Sequence, residues 1–263
     1  MPAYLDSIVA AHRASAAADR RDAHELVDRA LELPPTRGFT ENLGYGDEED
    51  GLAVISEIKR RSPSKGDLDP DLDPAVVAAD YQAGGASALS VLTDREFFGG
   101  SPDDLHAARG ACDLPVLRKD FTVSSNDIAD ARLMGADAVL LIVAALTPEE
   151  LRAFVALAGR LGLDALVEVH DEDELARALA AQATLIGVNQ RDLRTFEVDH
   201  ERALRMASQF PEGVTSVAES GIRGPEDAAR LSDAGFDAVL VGETLVRSAD
   251  RRSAVASLLR AHR

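Results

Sequence analysis

Cysteine is almost absent from this sequence, and its scarcity excludes several kinds of site. Cys112 is the only cysteine, which rules out an internal disulfide and a cysteine-based metal cluster. The six histidines are scattered, and none shows the HExxH spacing that holds zinc on one face of a helix. We therefore expect a protein that binds no metal.

Basic residues and long apolar runs are also few. The chain has 28 Lys and Arg against 46 Asp and Glu, which argues against nucleic acid as a partner, because phosphate backbones require basic patches. No apolar run is long enough for a membrane span. Asp6, His12 and Arg13 interrupt the N-terminal segment where a signal peptide needs unbroken apolar residues. We expect a cytoplasmic protein with no membrane attachment.

The composition of the charged residues is uneven. Only Lys59, Lys65 and Lys119 are lysines, whereas arginine is common and Asp and Glu occur throughout the chain. One explanation is a surface adapted to high salt, where ions screen the repulsion between dispersed carboxylates. The other is a GC-rich genome that favours Arg, Ala and Asp codons. Stability measured from low to molar salt separates the two, since a salt-adapted surface predicts a dependence on salt.

An internal repeat gives the first indication of the fold. A glycine, any residue, Asp or Ser, and then Ala open an apolar run at residues 85–88, 135–138, 162–165 and 235–238. These starts are 50, 27 and 73 residues apart, about two, one and three times a unit of ~25 residues, which suits one strand plus one helix. The glycine is predicted to end a helix in the left-handed conformation before the chain turns into a buried strand.

Eight apolar runs rich in Val, Leu and Ile predict eight strands, at residues 53–59, 88–93, 115–120, 138–143, 165–169, 185–190, 215–219 and 238–242. Unbroken apolar runs fit parallel strands that are covered on both faces. Eight alternating strand and helix units favour an α/β fold closed as a single (β/α)₈ TIM barrel. A doubly wound sheet is the alternative, which the lack of a GxGxxG motif after the first strand weakens.

We expect residues 1–263 to form one domain, since barrels of this size commonly do. Residues 1–52 would hold an N-terminal helix and a connector, and residues 53–263 the barrel core. Within the first part, residues 3–32 predict one alanine-rich amphipathic helix that packs across the barrel or covers its mouth. Residues 34–52, with their prolines, glycines and acidic run, predict an irregular connector.

Polar residues at strand ends indicate an active site, because barrel active sites lie at the carboxyl ends of the strands. Two of the three lysines occur there, and Lys59 shares a strand face with Glu57. An ion pair with Glu57 or Asp120 that only stabilises the barrel rim is the alternative role for these lysines. His170 is expected to point away from Glu168, toward a surface or capping role. The candidates are Glu57, Lys59, Lys119, Glu168, Asn189, Glu219 and Ser220.

Two glycine-rich turns predict a phosphate site. Residues 220–226 follow the seventh predicted strand and include Gly221, while Gly242 and Glu243 follow the eighth. Loops at these positions recurrently form the phosphate pocket of this fold through backbone N–H groups. Ordinary turn glycine is the alternative at either position. Because both turns are found at both positions, we expect a phosphorylated small molecule as the partner.

Six segments resemble the indole-3-glycerol-phosphate synthase family in order and spacing, and the resemblance extends over essentially the whole chain. They are SEIKRRSPSKG at 56–66, LTD with FFGGS at 92–101, LRKDF at 117–121, VEVH at 167–170, NQRDL at 189–193 and AESGI at 218–222. The resemblance implies a carboxy-lyase of tryptophan biosynthesis. Its reaction closes the ring of 1-(2-carboxyphenylamino)-1-deoxyribulose 5-phosphate with loss of carbon dioxide and water, and it needs no cofactor as electron sink.

The resemblance also implies residue roles. Lys119 would be the general acid at the ketone oxygen and Glu168 a base, with Glu57 and Lys59 serving the later dehydration. Lys59 could instead hold the substrate carboxylate, so the division between the two lysines stays open. Asn189, Arg191 and Ser220 would orient polar groups, and Glu219 would stabilise developing positive charge. The expected phosphate site is Ser62, Gly221, Gly242 and Glu243, and the expected apolar wall is Phe98, Phe121, Leu140 and Leu193.

Three other functions compete with this interpretation. Phosphoribosylanthranilate isomerase and the tryptophan synthase α-subunit are phosphate-binding barrels that would not need both Lys59 and Lys119. A barrel that only binds phosphorylated metabolites would leave the intact polar strand ends without a purpose. A monomer is expected, as a single barrel without a fused second enzyme.

Overall fold

The barrel consists of eight parallel strands. The computed structural model describes residues 4–44, 51–63, 65–193 and 195–259. Each strand pairs with the next and the eighth pairs with the first, so the sheet closes. The predicted TIM barrel is confirmed, with strands β1 (Ala53–Ile58), β2 (Ala88–Leu92), β3 (Val116–Lys119), β4 (Ala138–Ile142), β5 (Asp164–Val169), β6 (Leu185–Asn189), β7 (Thr215–Glu219) and β8 (Ala238–Val241).

Helices follow every strand and cover the outside of the barrel. Several begin with a proline in the first turn after an Asp, Ser or Thr cap, because proline there loses no hydrogen bond and the cap oxygen accepts a free backbone N–H. They are α4 (Pro74–Gly84), α5 (Pro102–Ala111), α6 (Ser125–Leu133), α7 (Pro148–Arg160), α8 (Glu172–Ala180), α9 (Arg202–Met206), α10 (Pro225–Asp233), α11 (Glu243–Val246) and α12 (Arg251–Leu259).

The repeated glycine and polar residue each have a visible structural task. The four repeat glycines have φ between 74° and 95°, the left-handed conformation in which side chains are strained. The buried Asp137 carboxylate accepts the Val116 backbone N–H at 2.8 Å, and the Asp237 carboxylate accepts that of Ser216 at 2.7 Å. These two repeat aspartates thus fix the start of the preceding strand at the amino end of the barrel.

The segment before the barrel differs from the prediction of one helix over residues 3–32. It forms two helices, α1 (Tyr4–Ala18) and α2 (Ala23–Leu31). The break has a local cause, since the Asp22 side chain accepts the backbone N–H groups of His24 and Glu25 and so starts a new helix. Helix α1 lies over the carboxyl end of the barrel, where Leu5 and Ile8 are buried.

The prediction of an irregular connector over residues 34–52 was wrong for part of that range. Residues Phe39–Gly44 form the short helix α3, whose Phe39 and Leu43 side chains are buried against Ala53 and Val217 in the barrel interior. Burial of these two side chains fixes a helical turn that the local glycines and prolines did not predict. Residues 45–50 of the connector lie outside the described residues.

Two apolar layers form the core. One lies inside the barrel and includes Ile55, Leu117 and Leu166, and the other lies between the strands and the surrounding helices. A short antiparallel hairpin, Arg61–Ser62 with Gly66–Asp67, extends from the end of β1 and was not predicted. In the described part of the chain, no helix has a long enough apolar stretch to cross a membrane.

Candidate active site

A cavity of about 490 Å³ opens at the carboxyl ends of the strands, a volume suited to a small organic ligand. Helix α1 and the loops that follow β1, β2, β6, β7 and β8 surround it. Every site residue predicted from the sequence lines this cavity: Glu57, Lys59, Ser62, Phe98, Lys119, Phe121, Leu140, Glu168, Asn189, Arg191, Leu193, Glu219, Ser220, Gly221, Gly242 and Glu243.

One ring of charged side chains lies at the floor of the cavity. Its members come from the odd-numbered strands, which contribute one interior layer in barrels of this type. The Lys119 Nζ lies 3.1 Å from Glu168 Oε2 and 3.5 Å from Glu219 Oε2. Glu57 from β1 completes the ring, and both Glu168 and Glu219 are buried. The four groups therefore bring three carboxylates around one ammonium.

Burial and mutual charge determine the protonation of this ring. Burial opposes the charged form of Lys119, but the nearby carboxylates of Glu168, Glu219 and Glu57 outweigh it and raise the pKa of the amine. Burial likewise opposes ionisation of Glu168, yet the Lys119 ammonium lowers the pKa of that carboxyl. For Glu219, burial dominates and raises the pKa, with the charge of Glu168 adding to it. The lowered pKa favours an ionised Glu168 that can act as a base, whereas the raised pKa favours a protonated Glu219.

Lys59 and Glu57 form a second ion pair beside the ring. The Lys59 Nζ donates to Glu57 Oε1, and the Lys59 side chain is 17% exposed while that of Glu57 is 6% exposed. The shared strand face predicted from their spacing is therefore observed.

Two glycines make room for the carboxylates. A side-chain carbon at Gly187 on β6 would overlap Glu219 Oε1, and one at Gly242 after β8 would overlap Glu57 Oε1. Neither residue is among the glycines with positive φ. Glycine is therefore required at both positions because the neighbouring carboxylate needs the space, and not because of the backbone conformation.

Gly187→Ala is expected to reduce kcat by about tenfold while the protein stays folded, because the added methyl displaces the Glu219 carboxylate from Lys119. The measurement is kcat together with the thermal unfolding midpoint. Gly159→Ala on α7 is the matched control, since nothing lies within 4 Å of a methyl group there and alanine favours the helix. Equal kcat in both variants would contradict a role for this space.

An apolar wall faces the charged ring. The rings of Phe98 and Phe121 lie 6.2 Å apart between centroids, with Leu140 and Leu193 beside them on the cavity lining. Helix α1 adds residues that sequence analysis missed: Tyr4, Leu5 and Ile8. The amphipathic pattern of α1 was visible in the sequence, but it does not reveal which surface the apolar face covers.

Helix α1 is tied to the cavity rim by a histidine. His12 Nε2 lies 2.9 Å from Asp94 Oδ2 and 3.9 Å from Asp120 Oδ1. Within the described residues these three groups could offer metal ligands. Asp94 Oδ1, however, accepts two backbone N–H groups, and Asp120 accepts from Thr93, Arg118 and its own neighbour in the chain. Because these oxygens already accept hydrogen bonds, the cluster is better suited to holding helix α1 against the barrel than to binding a metal ion. That the protein binds no metal stays a prediction.

The loops after β6 and β7 present polar groups to the same cavity. Ser220 and Gly221 both have positive φ, 66° and 75°, and the Ser220 carbonyl accepts the Gln190 side chain at 2.8 Å. The Asn189 side-chain oxygen accepts the Arg191 backbone N–H at 3.0 Å. The Arg191 guanidinium donates to the Phe196 carbonyl at 3.0 Å, which fixes the loop after β6.

His170 does not point away from Glu168, contrary to the sequence-based expectation. Its Nε2 lies 3.6 Å from Glu168 Oε1, and its side chain is only 13% exposed. The expectation was wrong because it placed the two residues on opposite faces, whereas residues two apart along a strand share a face. The same alternation continues one residue past β5, which ends at Val169.

A parallel barrel with a buried lysine among carboxylates at its strand ends defines an acid–base enzyme of the (β/α)₈ class. Residues 5–258 match the family model described as indole-3-glycerol phosphate synthase. The chain belongs to that family.

Relatives cover nearly the whole chain. Indole-3-glycerol phosphate synthase 2 of Streptomyces coelicolor is 52% identical over 235 residues, which span 89% of this chain and 90% of the relative. Indole-3-glycerol phosphate synthase of Kineococcus radiotolerans is 49% identical over 260 residues, 98% of this chain and 95% of the relative. A solved thiamine phosphate pyrophosphorylase from Pyrococcus furiosus has a TM-score of 0.60 at 17% identity, over 82% of this chain and 97% of that one. That likeness shows the fold alone.

Proposed function

We propose that this protein converts 1-(2-carboxyphenylamino)-1-deoxyribulose 5-phosphate to indole-3-glycerol phosphate, the reaction of its family. The observation that carries the proposal is the Lys119 ammonium, held at 3.1 Å from Glu168 and 3.5 Å from Glu219, opposite an apolar wall. In this proposal the aromatic ring of the substrate packs against the apolar wall, and its ketone oxygen lies next to the Lys119 ammonium. The expected absence of a cofactor remains a prediction.

In this proposal, Lys119 protonates the ketone oxygen as the new carbon–carbon bond forms. Its raised pKa keeps it an ammonium, so the proton is present before the reaction begins. Positive charge then develops on the substrate, where the ionised carboxylate of Glu168 stabilises it by proximity in a buried site. Loss of carbon dioxide restores the neutral aromatic system, and the electrons of the broken bond return to the ring.

The dehydration step is assigned to the second ion pair. Lys59 would protonate the departing hydroxyl and Glu57 would hold the lysine in place, because the two are directly paired beside the ring. Glu168 would remove the proton that restores the indole. Asn189, Arg191 and Ser220 would orient the substrate hydroxyl and carboxylate groups. The raised pKa of Glu219 argues against the cation-stabilising role expected for it, since a protonated carboxyl carries no charge.

The phosphate is assigned to the hairpin and to the loops after β7 and β8. Ser62 on the hairpin, Gly221 after β7, and Gly242 and Glu243 after β8 all line the cavity. The left-handed backbone at Ser220 and Gly221 turns successive N–H groups in a similar direction, as anion sites require.

Turnover of the carboxyphenylamino-deoxyribulose phosphate by purified protein, without added metal, tests the proposal. The expected result is the growth of indole fluorescence, which a protein that only binds the substrate would never produce. Binding without fluorescence would favour the metabolite-binding alternative. The single domain, the cytoplasmic location, the monomeric state and the salt-adapted surface stay predictions.

A further inference from the structure

Behind Glu168 lie two side chains that the proposed reaction does not use, His170 and Glu174. His170 Nε2 is 3.6 Å from Glu168 Oε1, and His170 Nδ1 is 3.0 Å from Glu174 Oε2 on α8. The same Glu174 oxygen accepts the His170 backbone N–H at 2.8 Å. One carboxylate therefore fixes both the backbone and the ring of this histidine.

The three side chains are buried, and of them only Glu168 lines the cavity. The side chains of Glu168, His170 and Glu174 are 1%, 13% and 15% exposed, and His170 is not among the residues that line the cavity. Within the described residues, Glu168 Oε1 and His170 Nε2 are buried atoms without a hydrogen-bond partner. They face each other, while the other Glu168 oxygen accepts from Lys119. A small movement would join them.

We propose that His170 is a positioning residue for the base: Glu174 holds its imidazolium, and the imidazolium holds the second oxygen of Glu168. This inference rests on the proposed function, in which Glu168 acts as a base. The Glu168 carboxylate is then fixed between two cations, Lys119 on the cavity side and His170 behind it. Its plane is set before substrate arrives, as an efficient base requires.

The charges around His170 agree with a cationic ring. Burial lowers its pKa, but the hydrogen bond to Glu174 and the charge of Glu168 outweigh burial and raise it, against the opposing charge of Arg202 on α9. Lys119 contacts Glu168 on the cavity side, and the charge of His170 also acts to lower the pKa of Glu219. His170 in turn is one of the groups that lower the pKa of Glu168, after Lys119.

Two substitutions separate charge from position. His170→Gln places an amide N–H near the position of Nε2, where it can donate to Glu168 Oε1. His170→Asn keeps a polar group near Nδ1 but has no donor that reaches Glu168 Oε1. Both remove the charge. The pKa of Glu168 is read from ¹³C-labelled glutamate by NMR, with Glu168→Gln assigning the signal, and kcat and KM are measured across pH. His106→Gln, at an exposed site on α5, is the control.

Both His170 variants are expected to raise the pKa of Glu168 by about one unit, because each loses a neighbouring cation. The acid limb of kcat then moves to higher pH by the same amount. His170→Asn should lower kcat by about tenfold with little change in KM, and His170→Gln should recover most of that loss. His106→Gln should match the wild type.

An unchanged pKa of Glu168 in both variants would overturn the inference, as would equal losses of kcat in the two without a shift of the acid limb. Failure of the proposed function gives a different result. The wild type would then produce no indole, while the NMR titration of Glu168 still reports whether His170 controls that carboxyl.

Discussion

Lys119→Met is expected to lower kcat by about 10³-fold or more, because the variant loses the proton donor and the buried cation together. Methionine matches the length of the lysine stem, so the apolar part of the packing is retained. Lys119→Arg should recover little, because a guanidinium holds its proton more firmly and does not fit the compact space between Glu168 and Glu219. The measurement is single-turnover indole formation with saturating enzyme.

Lys59→Met is the matched comparison for the acid assignment. It is expected to slow the later dehydration and to retain ring closure, so a non-indole intermediate should accumulate. If Lys119→Met kept near-normal turnover while Lys59→Met abolished it, the roles of the two lysines would have to be exchanged.

The same Lys119→Met substitution should also change the pH dependence of stability. Without the ammonium, the pKa values of Glu168 and Glu219 rise in the folded state. The folded protein then binds more protons than the unfolded chain above the ordinary glutamate pKa of about 4.3, so the free energy of unfolding falls as pH rises. Urea unfolding of the variant at several pH values checks this direction, with Lys59→Met measured alongside it.

Glu168→Gln is expected to lower kcat by about 10²-fold or more with a small effect on KM, because the amide cannot accept the proton that restores the indole. The substitution keeps the shape of the side chain and its oxygen can still accept from Lys119. Glu149→Gln, in the exposed first turn of α7, removes one negative charge from a residue that does not line the cavity and should leave kcat unchanged. Steady-state kinetics of the two variants make the comparison.

Glu219→Gln decides between the two buried carboxyls. Burial and the charge of Glu168 raise the pKa of Glu219, so it is the less ionised of the pair and the weaker candidate for a base. If Glu219→Gln lost more activity than Glu168→Gln, the base would be Glu219.

Residues that follow strand periodicity were predictable from the sequence. The strand ends could be located because unbroken apolar runs stop at polar residues, and the parity of Glu57 and Lys59 follows from the pleat. The convergence of Lys119, Glu168 and Glu219 required the barrel, since only closure brings strands three, five and seven to one point. The family resemblance supplied the residue roles, which periodicity cannot provide.

Features set by long-range packing were not predictable. Asp22 starts a second helix through a local cap, but the long alanine-rich pattern on either side concealed it. Phe39 lies in a helix because its side chain is buried in the barrel interior. The strands that bury it come later in the chain. His12 and Asp94 are 82 residues apart, and no local signal links them. His170, by contrast, was predictable: it was assigned to the face opposite Glu168, although residues two apart along a strand share a face.

The acidic residues of the barrel are divided between its two ends. Asp137 and Asp237 hold the beginnings of strands by accepting backbone N–H groups, whereas Glu57, Glu168 and Glu219 surround an ammonium at the opposite end. The first set depends on the backbone, the second on other side chains. A library that randomises only the cavity end should therefore yield mostly folded proteins, so that new substrates could be selected on an unaltered scaffold.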